Sequence, residues 1–273
     1  MPGETKSLSA VTNAISRVLE AGSVAALATL IEGPANVGAK LLIESDGTTT
    51  GSLGSGKLDE LVNKQAIVFL TSGDDARAFF ISEFVPQVSE LSGLRVLFER
   101  LQPEPRLVIC GAGHVGAALA RLAITIGYSA TLIDDRPEFV SRDKFPEEGI
   151  ELVSTKSWAT AVRDAVGNGR GVSVAIVTRG HNEDESCIRA LTDLHPDYVG
   201  LIGSKRRTNI VLERLRDAGA SEEFRQRVRA PIGLDICAIT PEEVALSILA
   251  EIVAERRGGK GGSLSAWRRS ERR

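Results

Sequence analysis

Apolar and polar positions follow two different rhythms along this chain. From Arg106 onward, short apolar runs alternate with segments of helical spacing. The pattern predicts strands at 106–111, 129–134, 150–154, 172–178 and 198–203, with helices at 114–126, 157–166 and 183–195 between them. Lys205–Ala218 reads as a further helix, and another opens at Thr240-Pro241-Glu242-Glu243 and stops at Gly258-Gly259. There Thr240 suits the N-cap, Pro241 the first helical position and Glu243 a capping box. Regular alternation of this kind requires a parallel sheet with right-handed crossovers and helices on both faces.

The first hundred residues are less regular. Leu8, Val11, Ile15, Val18 and Leu19 lie on one helical face over Leu8–Ala21. SVAALATLIE and AKLLIES, with the Asp46–Gly47 turn, read as hairpin strands. GSLGSG at 51–56 leads into a second helix, and AFFISEFV and LRVLFERL are further strand candidates. Two prolines in Gln102-Pro103-Glu104-Pro105 mark a linker. The expectation is an α/β protein with a smaller N-terminal α+β domain at 1–102. A Rossmann-type doubly wound parallel sheet follows at 106–257, and then a basic, glycine-rich tail at 258–273 that composition predicts to be disordered.

Composition narrows the class. The 273 residues carry 33 Lys and Arg against 36 Asp and Glu, a net charge of −3, which argues against nucleic acid as the main partner. The chain has no apolar run of membrane-spanning length and no N-terminal secretory pattern. Cys110, Cys187 and Cys237 form neither a CxxC pair nor a disulfide framework, so free thiols in a reducing cytoplasm are expected.

The most informative segment is LVICGAGHVGA at 107–117. Gly111, Gly113 and Gly116 have the G-x-G-x-x-G spacing directly after a strand and at the start of a helix. The first glycine allows the turn, the second lets a pyrophosphate approach backbone, and the third lets the helix pack on its strand. Asp134 ends the next apolar strand, where a carboxylate holds a ribose hydroxyl in dinucleotide sites. It would repel a 2′-phosphate, so NAD is expected over NADP if either binds. His114, inside the turn, is a candidate ligand contact or acid–base group.

VTRGHNEDES at 177–186 places Arg179, Gly180 and His181 at the same sheet edge, His181 being a second acid–base candidate. YVGLIGSKRR at 198–207 puts Gly203 and Ser204 at a strand end, followed by Lys205, Arg206 and Arg207 at a helix start. Cations are unfavourable there unless an anion binds. APIGLDI at 230–236 is a further candidate wall of the cleft. No cluster of metal ligands is evident, so no metal site is expected. Neither Tyr128 nor Tyr198 is followed four residues later by lysine, so the common dehydrogenase Tyr-x-x-x-Lys pair is missing.

RLVICGAGHVGAALA, TRGHNEDE, DYVGLIGSKRR and APIGLDICAITPEEVALSILAEI, in this order, resemble the XdhC/CoxI family. The resemblance runs to about residue 257. It implies a non-catalytic accessory protein that binds molybdenum cofactor (molybdopterin) and supports its sulfuration. The cofactor is then delivered to an apo molybdenum hydroxylase of the xanthine dehydrogenase or CO dehydrogenase type. A cysteine desulfurase as a further partner and a homodimer are also implied. The family's GSIGGG stretch with a following Glu reads GSLGSG here, with Ser55 and Asp59 at the changed positions. From the glycine pattern by itself, an NAD(P)-dependent oxidoreductase is the alternative, and a nucleotide-sensing regulatory module a third reading.

Overall fold

In a computed structural model, residues 2–72, 74–86, 91 and 93–266 are described. The expected tail thus lies partly outside the described residues, and its described part, 258–265, is exposed. The chain divides into two compact units, Met1–Pro103 and Glu104–Arg273.

In the first unit the strands β1 (Ala25–Glu32), β2 (Lys40–Glu44), β3 (Thr49–Gly51), β4 (Ala76–Phe80) and β5 (Arg95–Leu101) form an antiparallel sheet of order β3-β2-β1-β5-β4. Side chains alternate between its faces. Ala26, Ala28 and Leu30 meet Leu58, Val62 and Phe69 of helix α2 (Gly56–Ser72), whereas Ala25 and Leu27 meet Val11, Ala14 and Val18 of α1 (Pro2–Glu20). With helices on both faces, Ala25–Leu30 are all buried.

Two details depart from the sequence expectation. The Asp46–Gly47 turn joins β2 to the three-residue β3, which carries no apolar signal of its own. The run AFFISEFV is not one strand. It ends at Phe80, and Ile81–Phe84 make a helical turn, α3, held by Glu83 accepting the Phe80 N–H at 2.6 Å. Ile81 faces the core, and short apolar runs of this length fit both periods.

The altered glycine stretch has a structural role. Asp59 accepts the Ser52 hydroxyl at 2.7 Å and the Leu53 N–H at 2.8 Å, and Ser55 Oγ accepts the Leu58 N–H at 3.2 Å.

The second unit is a six-stranded sheet of order β11-β10-β9-β6-β7-β8, parallel at every pairing. Its strands are β6 (Arg106–Cys110), β7 (Ser129–Asp134), β8 (Ile150–Ser154), β9 (Val172–Ile176), β10 (Tyr198–Leu201) and β11 (Val228–Arg229). The chain starts at the centre, winds outward to β8 and returns through β9, so the order reverses between β6 and β9. Helices α4 (His114–Thr125) and α9 (Pro241–Arg257) pack on one face. The other face carries α5 (Trp158–Val166), α6 (His181–Arg189), α7 (Lys205–Asp217) and α8 (Glu222–Arg227). This is the expected doubly wound Rossmann-type sheet.

The helix expected over 183–195 is shorter and starts earlier, at His181–Arg189. Beyond it Leu191 and Leu194 are held by tight turns before Pro196, which disfavours helix at the preceding residue. Helix α9 has the expected capping box. Thr240 Oγ1 accepts the Glu243 N–H, Glu243 accepts the Thr240 N–H, and Gly258 closes the helix at φ +70°. No helix among the described residues is long and apolar enough to cross a membrane.

Two contacts fix the turn between β6 and α4. A Cβ on Gly116 would lie 1.8 Å from the Gly111 carbonyl oxygen, so the helix can approach its strand only with glycine there. On the open side, Asp134 at the end of β7 accepts the Ala112 N–H at 2.7 Å. It also accepts Arg136 through its N–H at 3.0 Å and its guanidinium at 2.8 and 3.0 Å. Burial pushes the Asp134 carboxyl up, but these donors outweigh it and hold it below the ordinary carboxylate value.

Gly116→Ala is expected to cost roughly 2 kcal/mol or more, because backbone must move against backbone, and urea denaturation measures it. Asp134→Asn is expected to cost about 2–4 kcal/mol at pH 7. A depressed folded-state pKa contributes stability above the unfolded value of about 3.9 and loses it below. The gap between wild type and Asp134→Asn should therefore close as pH falls through that range. A gap independent of pH would mean that the ion pair does not carry the effect.

Candidate functional site

Doubly wound sheets bind ligands beyond the carboxyl ends of their strands, at the point where strand order reverses. Here that point lies between β6 and β9. A cavity of about 360 Å³ opens there, entirely within the second unit. Its floor is the glycine turn, with Gly111, Gly113, His114 and Val115. Asp134 at the end of β7 and Arg136 just beyond it, Val177, Thr178 and Arg179 after β9, and Ile202 and Gly203 after β10 complete most of the wall.

The three glycines of the fingerprint play different parts. Gly111 has φ +114°, and a Cβ on it would lie 2.6 Å from the Val177 carbonyl oxygen. Gly111 and Gly116 are therefore required by packing inside the protein. Gly113 is not: it has ordinary extended backbone, φ −67° and ψ −173°, and a Cβ there would meet nothing within 4 Å. It is the N-cap of α4 and provides no side-chain cap, so the first N–H groups of the helix point at the cavity with the positive end of the helix dipole. No packing contact in the fold requires the missing side chain at Gly113. A group lying on the turn would.

Three arginine–aspartate pairs surround this floor. Arg136 binds Asp134, and its guanidinium carbon also lies 3.6 Å from the centre of the Phe139 ring. Arg179 binds both oxygens of Asp135 at 2.7 Å, with Glu183 3.8 Å away. Arg207 binds the fully buried Asp184 through Nε at 2.9 Å and through Nη2, and Thr178 Oγ1 donates to the other Asp184 oxygen at 2.6 Å. Burial raises the Asp184 carboxyl above its ordinary value, against the pull of Thr178 and Arg207. This last group ties the loop after β9 to helix α7 and holds Arg207 in the cavity wall.

A second groove of about 420 Å³ shares Arg179 and Arg207 with the first and continues over Gly180, His181, Ser204, Arg206, Ile210 and Arg214. The candidate residues thus divide. Gly111, Gly113, His114, Asp134, Arg179 and Gly203 line the cavity at the glycine turn, and Gly180, His181, Ser204 and Arg206 line the groove beside it. Gly116 lies buried beneath the turn, and Lys205 lines neither. His114 and His181 are exposed and belong to different walls. Ser204 Oγ caps α7 by accepting the Arg207 N–H at 3.3 Å.

The segment 230–236 lines neither cavity, contrary to the expectation for APIGLDI. It is drawn back onto the sheet, where Ile232 N–H donates to Leu201 O and Gly233 N–H to Glu251, which also takes the buried Tyr198 hydroxyl. Pro241, at the start of α9, lines the cavity instead.

Sequence reasoning also passed over Arg136 and Trp158. Arg136 stands two residues after Asp134, and Trp158 opens the helix after β8, both just beyond strand ends where a ligand is expected. Among the described residues, no group of three His, Cys, Asp or Glu side chains converges to hold a metal.

Residues 107–252 match the XdhC Rossmann domain, and residues 18–79 match the XdhC and CoxI family. Escherichia coli K12 YqeB, an uncharacterised protein, is 29% identical over 82% of this chain and 41% of its own length. A probable xanthine dehydrogenase component of Bacillus subtilis 168 is 28% identical over 59% of this chain and 46% of its own. The E. coli K12 molybdenum cofactor insertion chaperone PaoD is 27% identical over 61% of this chain and 44% of its own. The chain thus spans less than half the length of these relatives. A crystal structure described as a xanthine dehydrogenase from Bacillus halodurans shares the fold, with a TM-score of 0.65 at 22% identity, over 89% of this chain and 65% of the other. With its XdhC Rossmann domain covering more than half of its length, the chain belongs to the XdhC family.

Proposed function

We propose that this chain binds molybdenum cofactor in the cavity above the glycine turn and hands it to an apo-enzyme of the xanthine dehydrogenase type. The observation that carries the proposal is the open space at Gly113, beside N–H groups that no side chain caps. Molybdopterin ends in a phosphate, and its dinucleotide forms carry a pyrophosphate. Either suits uncapped N–H donors at a helix N-terminus. The insertion-chaperone name of one relative and the xanthine dehydrogenase name of another supply the class of cargo and recipient.

On this reading Gly113, His114 and Val115 hold the phosphate through backbone. Arg207, fixed by Asp184, supplies a cation that needs no reorganisation when the anion arrives, and Arg179 one that can exchange Asp135 for it. The bound group supplies molybdenum redox chemistry only to the enzyme that receives it. This chain shelters the group in the cleft and releases it, acting as a chaperone. Support for sulfuration, with a cysteine desulfurase as the sulfur source, and action in the cytoplasm as a homodimer belong to the same proposal.

Gly113→Val tests it. The position accepts a side chain conformationally, so stability should fall by less than about 1 kcal/mol, the scale of an N-cap change. Affinity for molybdopterin, followed by pterin fluorescence, should fall at least a hundredfold. Unchanged affinity would remove the glycine turn from the site.

A further inference from the structure

The end of β7 is where a dinucleotide-binding sheet reads the ribose of its ligand. A carboxylate there takes the 2′-hydroxyl, whereas an arginine accommodates a 2′-phosphate. In this chain the carboxylate is present but engaged. Asp134 is 1% exposed, and its two oxygens accept four donors from the chain itself: the Ala112 N–H and three from Arg136. A carboxylate offers about four acceptor directions, so a ribose diol arriving here finds none open.

Arg136 lines the cavity beside this carboxylate, its side chain 29% exposed against 2% for Asp134. Its Nε and Nη2 are used on Asp134, and among the described residues Nη1 has no hydrogen-bond partner, which leaves its two N–H donors uncommitted. Phe139 lies against the guanidinium at 3.6 Å, and Lys144 Nζ stands 4.2 Å from the same ring. Arg136 is therefore held on one edge and on one side, a cation set in place before any ligand binds. The neighbouring carboxylate, Asp135, is engaged as well, with both oxygens on Arg179.

We propose that Arg136 is a specificity-determining residue, with Asp134 as its positioning residue. The cleft accordingly takes 2′-phosphorylated nucleotides of the NADP type and discriminates against the bare ribose diol of NAD. This reverses the preference expected from Asp134 in the sequence. It rests on the reading of the glycine turn as a phosphate-binding floor and adds a second ligand class to it. Because both ligands would use Gly113, a 2′-phosphorylated nucleotide and the pterin compete.

The test compares ligands that differ only in the 2′-phosphate, NADP⁺ against NAD⁺ and 2′,5′-ADP against 5′-AMP, by calorimetry on the wild-type chain. The phosphorylated member of each pair should bind at least tenfold tighter. In Arg136→Gln the ratio should fall to within twofold, and Arg136→Lys, which keeps the charge but not the fork, should give an intermediate ratio. A merely structural arginine would change both members of a pair alike. Equal affinity within each pair on wild type, including no binding of any of the four, overturns the inference, as does a preference that survives in a folded Arg136→Gln. Molybdopterin binding is measured on the same samples. Pterin binding without a phosphate preference leaves the cofactor reading standing and this inference refuted, and a phosphate preference without pterin binding does the reverse.

Discussion

The carboxylate of Asp134 is the constraint on which the architecture of the cleft depends. It extends the β6–β7 register by one contact and joins three pieces of chain at that edge: the glycine turn, through Ala112 N–H, the end of β7, and the loop that starts at Arg136. An ionised carboxylate buried to this degree is costly unless every lone pair is used. Here the donors are the distant Ala112 N–H and, two residues along the chain, the Arg136 N–H and guanidinium, so order in the loop follows from the need to solvate one charge. The turn is thereby held open toward the cavity at Gly113 and closed against the sheet at Gly111 and Gly116.

The same device recurs around the cavity. Asp135 holds Arg179, and Asp184 holds Arg207. The pairs differ in depth, and that difference sets their parts. Asp184 is fully buried and bound also by Thr178, which makes Arg207 a fixed element of the wall. The Arg179 side chain is 48% exposed and its pair is open to water, so an incoming anion can compete for this arginine more readily than for Arg207, whose partner is fully buried. A rigid cation and an exchangeable one beside uncapped helix N–H groups suit a protein that must both hold an anionic cargo and give it up.

Much of this was legible in the sequence because it follows from period and punctuation. The alternation after Arg106 encodes the parallel sheet. Glycine spacing placed the turn, and Thr240-Pro241-Glu242-Glu243 placed the start of α9 to the residue. Short features were harder: β3 is three residues with no apolar pattern, and Ile81–Phe84 reads equally as strand or helical turn. The larger omission was electrostatic. Asp134 looks like a ribose acceptor in one dimension, because nothing in the spacing tells that Arg136 turns back onto it rather than outward. Trp158 and Pro241 reach the cavity only because their helices begin at the same sheet edge. Conversely, APIGLDI carries the look of a site loop but is spent on anchoring the chain to Leu201 and Glu251.

The central claim is that the N–H groups at the start of α4 receive a phosphate, and backbone amide resonances report on them directly. Titrating ¹⁵N-labelled protein with molybdopterin should shift the amides of Gly113, His114 and Val115 strongly. The Ala112 amide, already bound to Asp134, should move least within the turn. Saturable binding that leaves those three amides unmoved, with the shifts confined to residues 18–79, would contradict the account.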